Sequence, residues 1–195
     1  MKLSRGVLKL CLTGITYIGL CLPVQANDEF LFATRGFPDV TLLTLDPDTG
    51  TVLSSVPVTN EEALLGGLGY DGIYLWSLDV FDPVSDRTFR IDPRTGTGTM
   101  IGNTGFKFNF RAVEVDPVTG ILYGNTDSPI GLNLYTLDKS TGAASFLFHL
   151  LAPTMDQVTA IAIDGNGTLY ATDILGTGLF RIDLASRQAI HLGNL

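Results

Sequence analysis

The chain has 195 residues, with 12 Lys and Arg against 20 Asp and Glu and a formal net charge of -8. That acidity excludes nucleic acid and anionic membrane surfaces as expected partners, because both are recognised through clustered Lys and Arg. The length suits one domain with a core of its own.

The first residues read as an export signal. Lys2, Arg5 and Lys9 precede an apolar run over residues 10–22, followed by Pro23 and Val24-Gln25-Ala26. A positive start, a short apolar stretch and small residues at the cut describe a signal peptide over residues 1–26. The run is too short for a comfortable membrane span. The mature chain, 27–195, is therefore expected to be periplasmic or extracellular, with no membrane association after cleavage. It keeps 9 Lys and Arg against 20 acidic residues, a net of -11, and loses both cysteines, Cys11 and Cys21. Without disulfides, an exported domain must be stabilised by its core alone.

From there onward the sequence repeats. Leu45-Asp46, Ile91-Asp92, Leu137-Asp138 and Ile182-Asp183 place an apolar residue before an aspartate, with the aspartates 46, 46 and 45 residues apart. Phe32, Tyr74, Tyr123 and Tyr170, each after Leu or Ile, form a second series, and Tyr70-Asp71, Val115-Asp116 and Ile163-Asp164 a third. Three series sharing one period define repeats over 27–58, 59–104, 105–151 and 152–195.

Each period divides into four short strands. The innermost, A, is expected at 68–70, 112–115 and 159–163, and B runs through the aromatic series from 30–34 onward. C is expected at 41–45, 88–91, 133–137 and 179–182, and D at 51–56, 97–101, 143–149 and 188–192. The A–B and C–D connections are short and rich in Asp and Gly, as in Asp116-Pro117-Val118-Thr119-Gly120. Asp bonds its own turn backbone, Pro presets φ and Gly accepts positive φ, so these are hairpin turns. Strands A and B are apolar on successive positions, which marks sheets covered on both faces. No stretch holds a helical period. Four antiparallel strands in 40-odd residues describe a blade, and the fold class is all-β: a β-propeller-like array of about four four-stranded blades. The order BCD, ABCD, ABCD, ABCD lacks one innermost strand. The chain thus reads either as the N-terminal portion of a longer propeller or as one whose first blade has an open inner edge.

Loops between B and C and between D and A are longer and differ between copies, so a binding site is expected at that end. Asp79, Asp127 and Asp173 fall at the exit of strand B, with Asp82 and Asp86 beside the first of them. Such carboxylates could hold Ca²⁺, which takes six or more oxygens, although no Asp-x-Asp-x-Asp-Gly loop accompanies them; apart from that ion no cofactor is expected. Loop initiation and solubility are the preferred reading of these carboxylates, and the cation the sharper one. Glu114 stands in strand A where Gly69 and Ala162 occupy the other copies, and a carboxylate there needs a partner. An ion pair with Arg90 or Arg111 is the expected solution, and a channel-lining acid the sharper one. His149 and His191 fall on the outer strand, away from any axis. Phe106 and Phe110 are expected to pack the approach to strand A. Asn166-Gly167-Thr168 meets the glycosylation sequon but lies in a tight turn.

The unit Leu-Tyr-x-(Ile/Leu)-Asp-x-x-Thr-Gly, with the apolar-Asp-x-x-Gly-x-Leu-Tyr hairpin, resembles the repeats of secreted bacterial β-propeller proteins grouped with YVTN and NHL propellers. That resemblance implies the fold over the whole mature chain and leaves function open, since propellers of that group include lactonases, other hydrolases and lyases, and binding modules. The Asp-x-x-Thr-Gly of quinoprotein propellers continues to a Trp, and Trp76 is not so placed. The sequence thus favours an exported, non-catalytic binding module whose partner is an unidentified protein or small molecule. The alternative is a lactonase-like hydrolase or lyase using a divalent cation in the central channel.

Overall fold

A computed structural model describes residues 30–36, 39–59, 65–79, 85–107, 110–126, 128, 130–152, 155–174 and 178–194. The segment read as a signal peptide lies outside them, as do Asp82 and Asp127. The described residues form fifteen strands and no helix: β1 (Leu31–Arg35), β2 (Thr41–Leu45), β3 (Val52–Pro57), β4 (Leu65–Tyr70), β5 (Leu75–Asp79), β6 (Arg87–Ile91), β7 (Gly98–Asn103), β8 (Phe110–Val115), β9 (Leu122–Thr126), β10 (Leu132–Leu137), β11 (Ala144–Leu150), β12 (Val158–Ile163), β13 (Leu169–Asp173), β14 (Leu179–Asp183) and β15 (Gln188–Gly193). All neighbours are antiparallel meanders, grouped as β1–β3, β4–β7, β8–β11 and β12–β15. This is a four-bladed β-propeller arrangement in which the first blade has three strands among the described residues, in the expected order BCD, ABCD, ABCD, ABCD.

Burial falls from the inner strand outward. All six residues of β12 are buried, whereas none of the six in β3 or in β15 is. The blades stack in chain order, and each of the three seams has its own core. Phe32 and Leu42 meet Leu68, Leu75 and Ile91 between blades one and two. Trp76 and Leu78 meet Phe110, Val113 and Val115 between two and three. Tyr123, Leu134 and Phe148 meet Ile161, Ile163 and Phe180 between three and four. Each fully buried Leu, Ile or Phe contributes about 1.5–3 kcal/mol, and among the described residues these seams hold most of them.

The close approach of blades two and three depends on glycine. A Cβ at Gly69 would lie 3.0 Å from the Cα of Glu114, and one at Gly67 would lie 3.0 Å from the Cα of Ala112. Gly67 also has φ +69° and sits within a register shift between Gly66 and Gly69, in a strand that begins three residues before the expected position 68.

The Asp-rich turns behave as their composition dictates. Asp46 Oδ1 accepts from the N–H groups of Asp48 (2.9 Å) and Thr49 (2.8 Å), and Asp138 Oδ1 from those of Ser140 (2.7 Å) and Thr141 (3.0 Å). Gly50, Gly96, Gly120 and Gly142 close these turns at φ between 70° and 76°. The fourth blade has Arg187 at that position, at φ 56°, and its guanidinium lies 5.6 Å from the ring of Phe148 on the third blade. A cation–π contact across the seam thus accompanies a backbone conformation that disfavours side chains.

At the A–B turns a second device recurs, joining the turn aspartate to the aromatic of strand B. Asp71 Oδ2 accepts from Trp76 Nε1 at 2.7 Å and from Lys139 Nζ of the next blade at 3.3 Å, with the ammonium 5.4 Å from the indole ring. Tyr170 donates to Asp164 at 3.4 Å, and burial together with the charge of Asp116 pushes the Tyr123 phenol up. Burial would raise the Asp71 carboxyl, but the Tyr74 N–H, the indole, the Ile73 N–H and Lys139 together hold it below the ordinary 3.8. A carboxyl depressed in the folded state stabilises above its unfolded pKa and loses that contribution as pH falls through the folded value. Thermal melts are therefore expected to show stability falling as pH drops below 3.8, with a shallower fall in Asp71→Asn; an identical acid limb in the variant would show that Asp71 carries none of the effect.

Candidate functional site

The tight-turn end consumes its carboxylates internally, so the opposite end is where polar chemistry is left over. Among the described residues, buried polar side chains gather there: Thr34, Asp86, Thr88, Thr104, Asn125, Thr126, Ser128, Thr159 and Asp173. Ser77, Glu114 and Asp116 are buried elsewhere.

Register defines what each copy places at the exit of strand B. Asp79 is opposite Leu65, Thr126 opposite Phe110 and Asp173 opposite Val158, each facing the start of its inner strand. Asp79 and Asp173 are thus the last residues of β5 and β13 rather than the loop residues expected, and the equivalent position in blade three is Thr126, one before Asp127. One position earlier the copies have Thr34, Leu78, Asn125 and Thr172. Alternation sends Asn125 into the seam with blade four, where its register partners Ala112 and Leu134 also lie. Its Nδ2 donates to the Val158 carbonyl at 3.0 Å. Asn125 Oδ1 and Thr126 Oγ1 are buried without a hydrogen-bond partner.

Asp86 fastens two loops together. Its N–H donates to the Phe106 carbonyl at 3.1 Å, its carbonyl accepts from Thr104 N–H at 2.9 Å, and Oδ2 accepts from Phe110 N–H at 3.3 Å. That is a structural role. Glu114 is fully buried, and its Oε1 accepts from Val115 N–H at 3.0 Å. Of the two arginines expected to pair with it, Arg90 is engaged elsewhere, its guanidinium 4.4 Å from the ring of Tyr74. Full burial also removes Glu114 from the solvent-facing lining of a channel. His149 and His191 are exposed on outer strands, the first 2.6 Å from Asn133 Oδ1 and the second stacked on Phe180. Among the described residues no three Asp, Glu, His or Cys side chains come together.

Over the seam between blades three and four, three large apolar side chains are exposed among the described residues. Ile130 (53% exposed), Leu151 (57%) and Ile174 (52%) project there. Backbone contacts bind their loops into one rim: Gly131 bridges Gln157, Val158 N–H donates to the Gly131 carbonyl, and Ile174 N–H donates to the Gln157 carbonyl at 2.8 Å. Gly131 sits against Leu150 and Leu151, where its absent side chain leaves room for the Leu150 carbonyl. An apolar rim above buried acceptors is the arrangement found in ligand sites. Sequence reading missed Asn125 and the rim. The equivalence of Asn125 with Leu78 comes from the strand register, since the aromatic series with Tyr74 and Tyr123 would set it against Trp76.

No protein-family model and no curated protein sequence matches the chain. Solved structures do. A chain of a nidogen/laminin complex superposes with TM-score 0.59 at 14% identity, over 90% of this chain and 79% of that one. Virginiamycin B lyase from Staphylococcus aureus gives 0.54 at 15% identity, over 93% of this chain and 57% of the lyase. TolB from Acinetobacter baumannii gives 0.58 at 14% identity, over 94% of this chain and 45% of TolB. The chain therefore spans less than two thirds of the lyase and of TolB. At such identities the likeness is one of fold, and it shows that the chain shares the architecture of NHL/YVTN-like β-propeller proteins.

Proposed function

We propose that the protein is an exported binding module that takes its ligand at the long-loop end, over the seam between the third and fourth blades. The observation that carries this reading is the exposed trio Ile130, Leu151 and Ile174, set on one hydrogen-bonded rim above buried acceptors. Solitary exposed apolar residues are ordinary on a surface, whereas a cluster on a fixed rim offers contact area that hydration disfavours. At the other end Ile73, Val118 and Ile121 are exposed as well, but the aspartates beside them are engaged in their own turns, unlike the acceptors beneath the rim. Export is supported by the composition of residues 1–26.

Fold neighbours include both a lyase and a chain crystallised with a protein partner, so catalysis is the alternative outcome of the test. The experiment is ¹⁵N chemical-shift mapping of the mature chain against a library of small molecules and short peptides, with lactone turnover followed in parallel. Perturbations centred on Ile130, Leu151 and Ile174, lost in an Ile130→Ser/Ile174→Ser variant that retains its fold, are expected. Hits confined to the tight-turn end, or turnover that depends on an added divalent cation, would overturn the reading.

A further inference from the structure

We propose that two copies of the chain join into one closed ring, the open face of blade one in each packing on the open face of blade four in the other. Among the described residues the three cores join successive blades only, and none links blade four back to blade one. The contact lies away from the rim over the third seam, so it does not depend on the binding reading.

Register shows that both faces are of the kind buried at every seam. Two positions of strand C turn toward the preceding blade: Phe89 and Ile91 in blade two, Tyr135 and Leu137 in three, Phe180 and Ile182 in four. All are buried. Their counterparts in blade one are Leu43 and Leu45, apolar as a seam requires but only half-buried. Val52, the register partner of Leu45, is exposed beside them. The opposite face behaves likewise. Strand B meets the following blade with Phe32 and Thr34, Trp76 and Leu78, or Tyr123 and Asn125, all buried. Blade four has Tyr170 and Thr172 there, both half-buried, with Leu179 half-buried opposite Thr172 and Ile190 exposed opposite Arg181. Apolar surface left in water at these two faces is what pairing would remove. The repeat makes the faces complementary, since one is the kind that precedes a seam and the other the kind that follows it. A second copy supplies both at once, and a twofold pair leaves neither open.

A backbone contact that recurs at the seams points the same way. Gly102, on strand D of blade two, lies against the Thr141 carbonyl in the C–D turn of blade three. A Cβ on Gly142 of that turn would stand 2.7 Å from the Gly102 carbonyl oxygen. At the first seam Gly96 meets the Pro57 carbonyl in the same way, and at the third Arg187 reaches the ring of Phe148. Blade four repeats the strand half of this contact as Gly193, opposite Leu179 as Gly102 is opposite Thr88. Blade one repeats the turn half as Thr49-Gly50. Neither Gly193 nor Gly50 has anything within 4 Å of an added Cβ. Each open face thus carries one half of the contact, and neither half is engaged.

The test is sedimentation equilibrium of the mature chain at rising concentration. A shift to twice the monomer mass is expected by high micromolar concentration, with no larger species, because the second junction closes the ring. Below that range each copy stands alone, with Gly50 free of neighbours. Leu43→Lys and Leu179→Lys alter different faces, yet each is expected to weaken association about a hundredfold or more, since both junctions use both faces. Lys is chosen because Arg181 stands on the face that Leu43 would meet. Cross-linking checks the pairing at exposed positions that leave the fold alone. Residues 27–195 contain no cysteine, so Thr49→Cys in one preparation and Asn194→Cys in another can be mixed and oxidised. The disulfide-linked heterodimer is expected in preference to either homodimer. A monomer throughout the concentration range would overturn the proposal. So would a ladder of higher oligomers, undiminished association in either Lys variant, or homodimers dominating the cross-linked products.

Discussion

Gly69→Val is expected to lower the unfolding free energy by about 3 kcal/mol, the upper end of what overpacking costs a well-filled core. The added Cβ would stand 3.0 Å from Glu114 Cα and 3.1 Å from Val115 N, both backbone atoms of β8. No rotamer change relieves a clash with backbone, so β4 and β8 would have to separate and open the core formed by Trp76, Leu78, Val113 and Val115. Urea unfolding checks this, through a lower midpoint with the slope unchanged. Gly50→Ala is the informative control. Gly50 has φ +70° and nothing within 4 Å of its virtual Cβ, so it loses only the left-handed preference, about 1 kcal/mol. Equal losses at the two positions would show that conformational freedom, not interblade distance, is what glycine supplies at position 69.

That contrast explains how far the sequence could be read. Strand positions followed from the period: Thr41–Leu45 lies where the alignment expects strand C, and β14 extends only one residue beyond the expected 179–182. Asp-x-x-Thr-Gly turns were equally legible, because turn chemistry is local. What stayed hidden was whatever depends on the neighbouring blade. The Asp71–Lys139 contact spans 68 positions and has no local signature. Register shifts hid the strand B exits as well: aligned by sequence distance alone, Asp79, Asp127 and Asp173 seemed equivalent, whereas pairing with β8 makes Thr126 the counterpart of Asp79 and Asp173. The polar floor at Asn125 becomes visible only once its alternation face and the seam it enters are known.

Phe110→Ala is expected to cost about 4 kcal/mol, within the range for removing a buried phenyl ring. Phe110 is fully buried at the start of β8, edge-on to Tyr135 at 5.4 Å, while Phe106 and Phe146 meet the same ring at 5.2 and 5.3 Å. Its N–H is also the donor to Asp86 Oδ2, so the residue ties the core between blades two and three to the loops at the candidate binding end. Loss of the ring should therefore act twice: a lower urea midpoint, and faster hydrogen exchange at the Thr104 amide, which Asp86 protects. The cavity has a specific neighbour that distinguishes lost packing from lost local order. A Cβ at Gly124 would lie 3.1 Å from the Phe110 ring and 2.8 Å from Leu137 Cδ1. Gly124→Ala alone should destabilise, but in the Phe110→Ala background the vacated volume lets Leu137 shift and admits the methyl group. The double variant is then expected to be at least as stable as Phe110→Ala alone, a coupling of the size seen between contacting core residues. Additive losses would mean that the cavity collapses on removal of the ring, and that the end of the blade carrying the candidate site is softer than its buried registers imply.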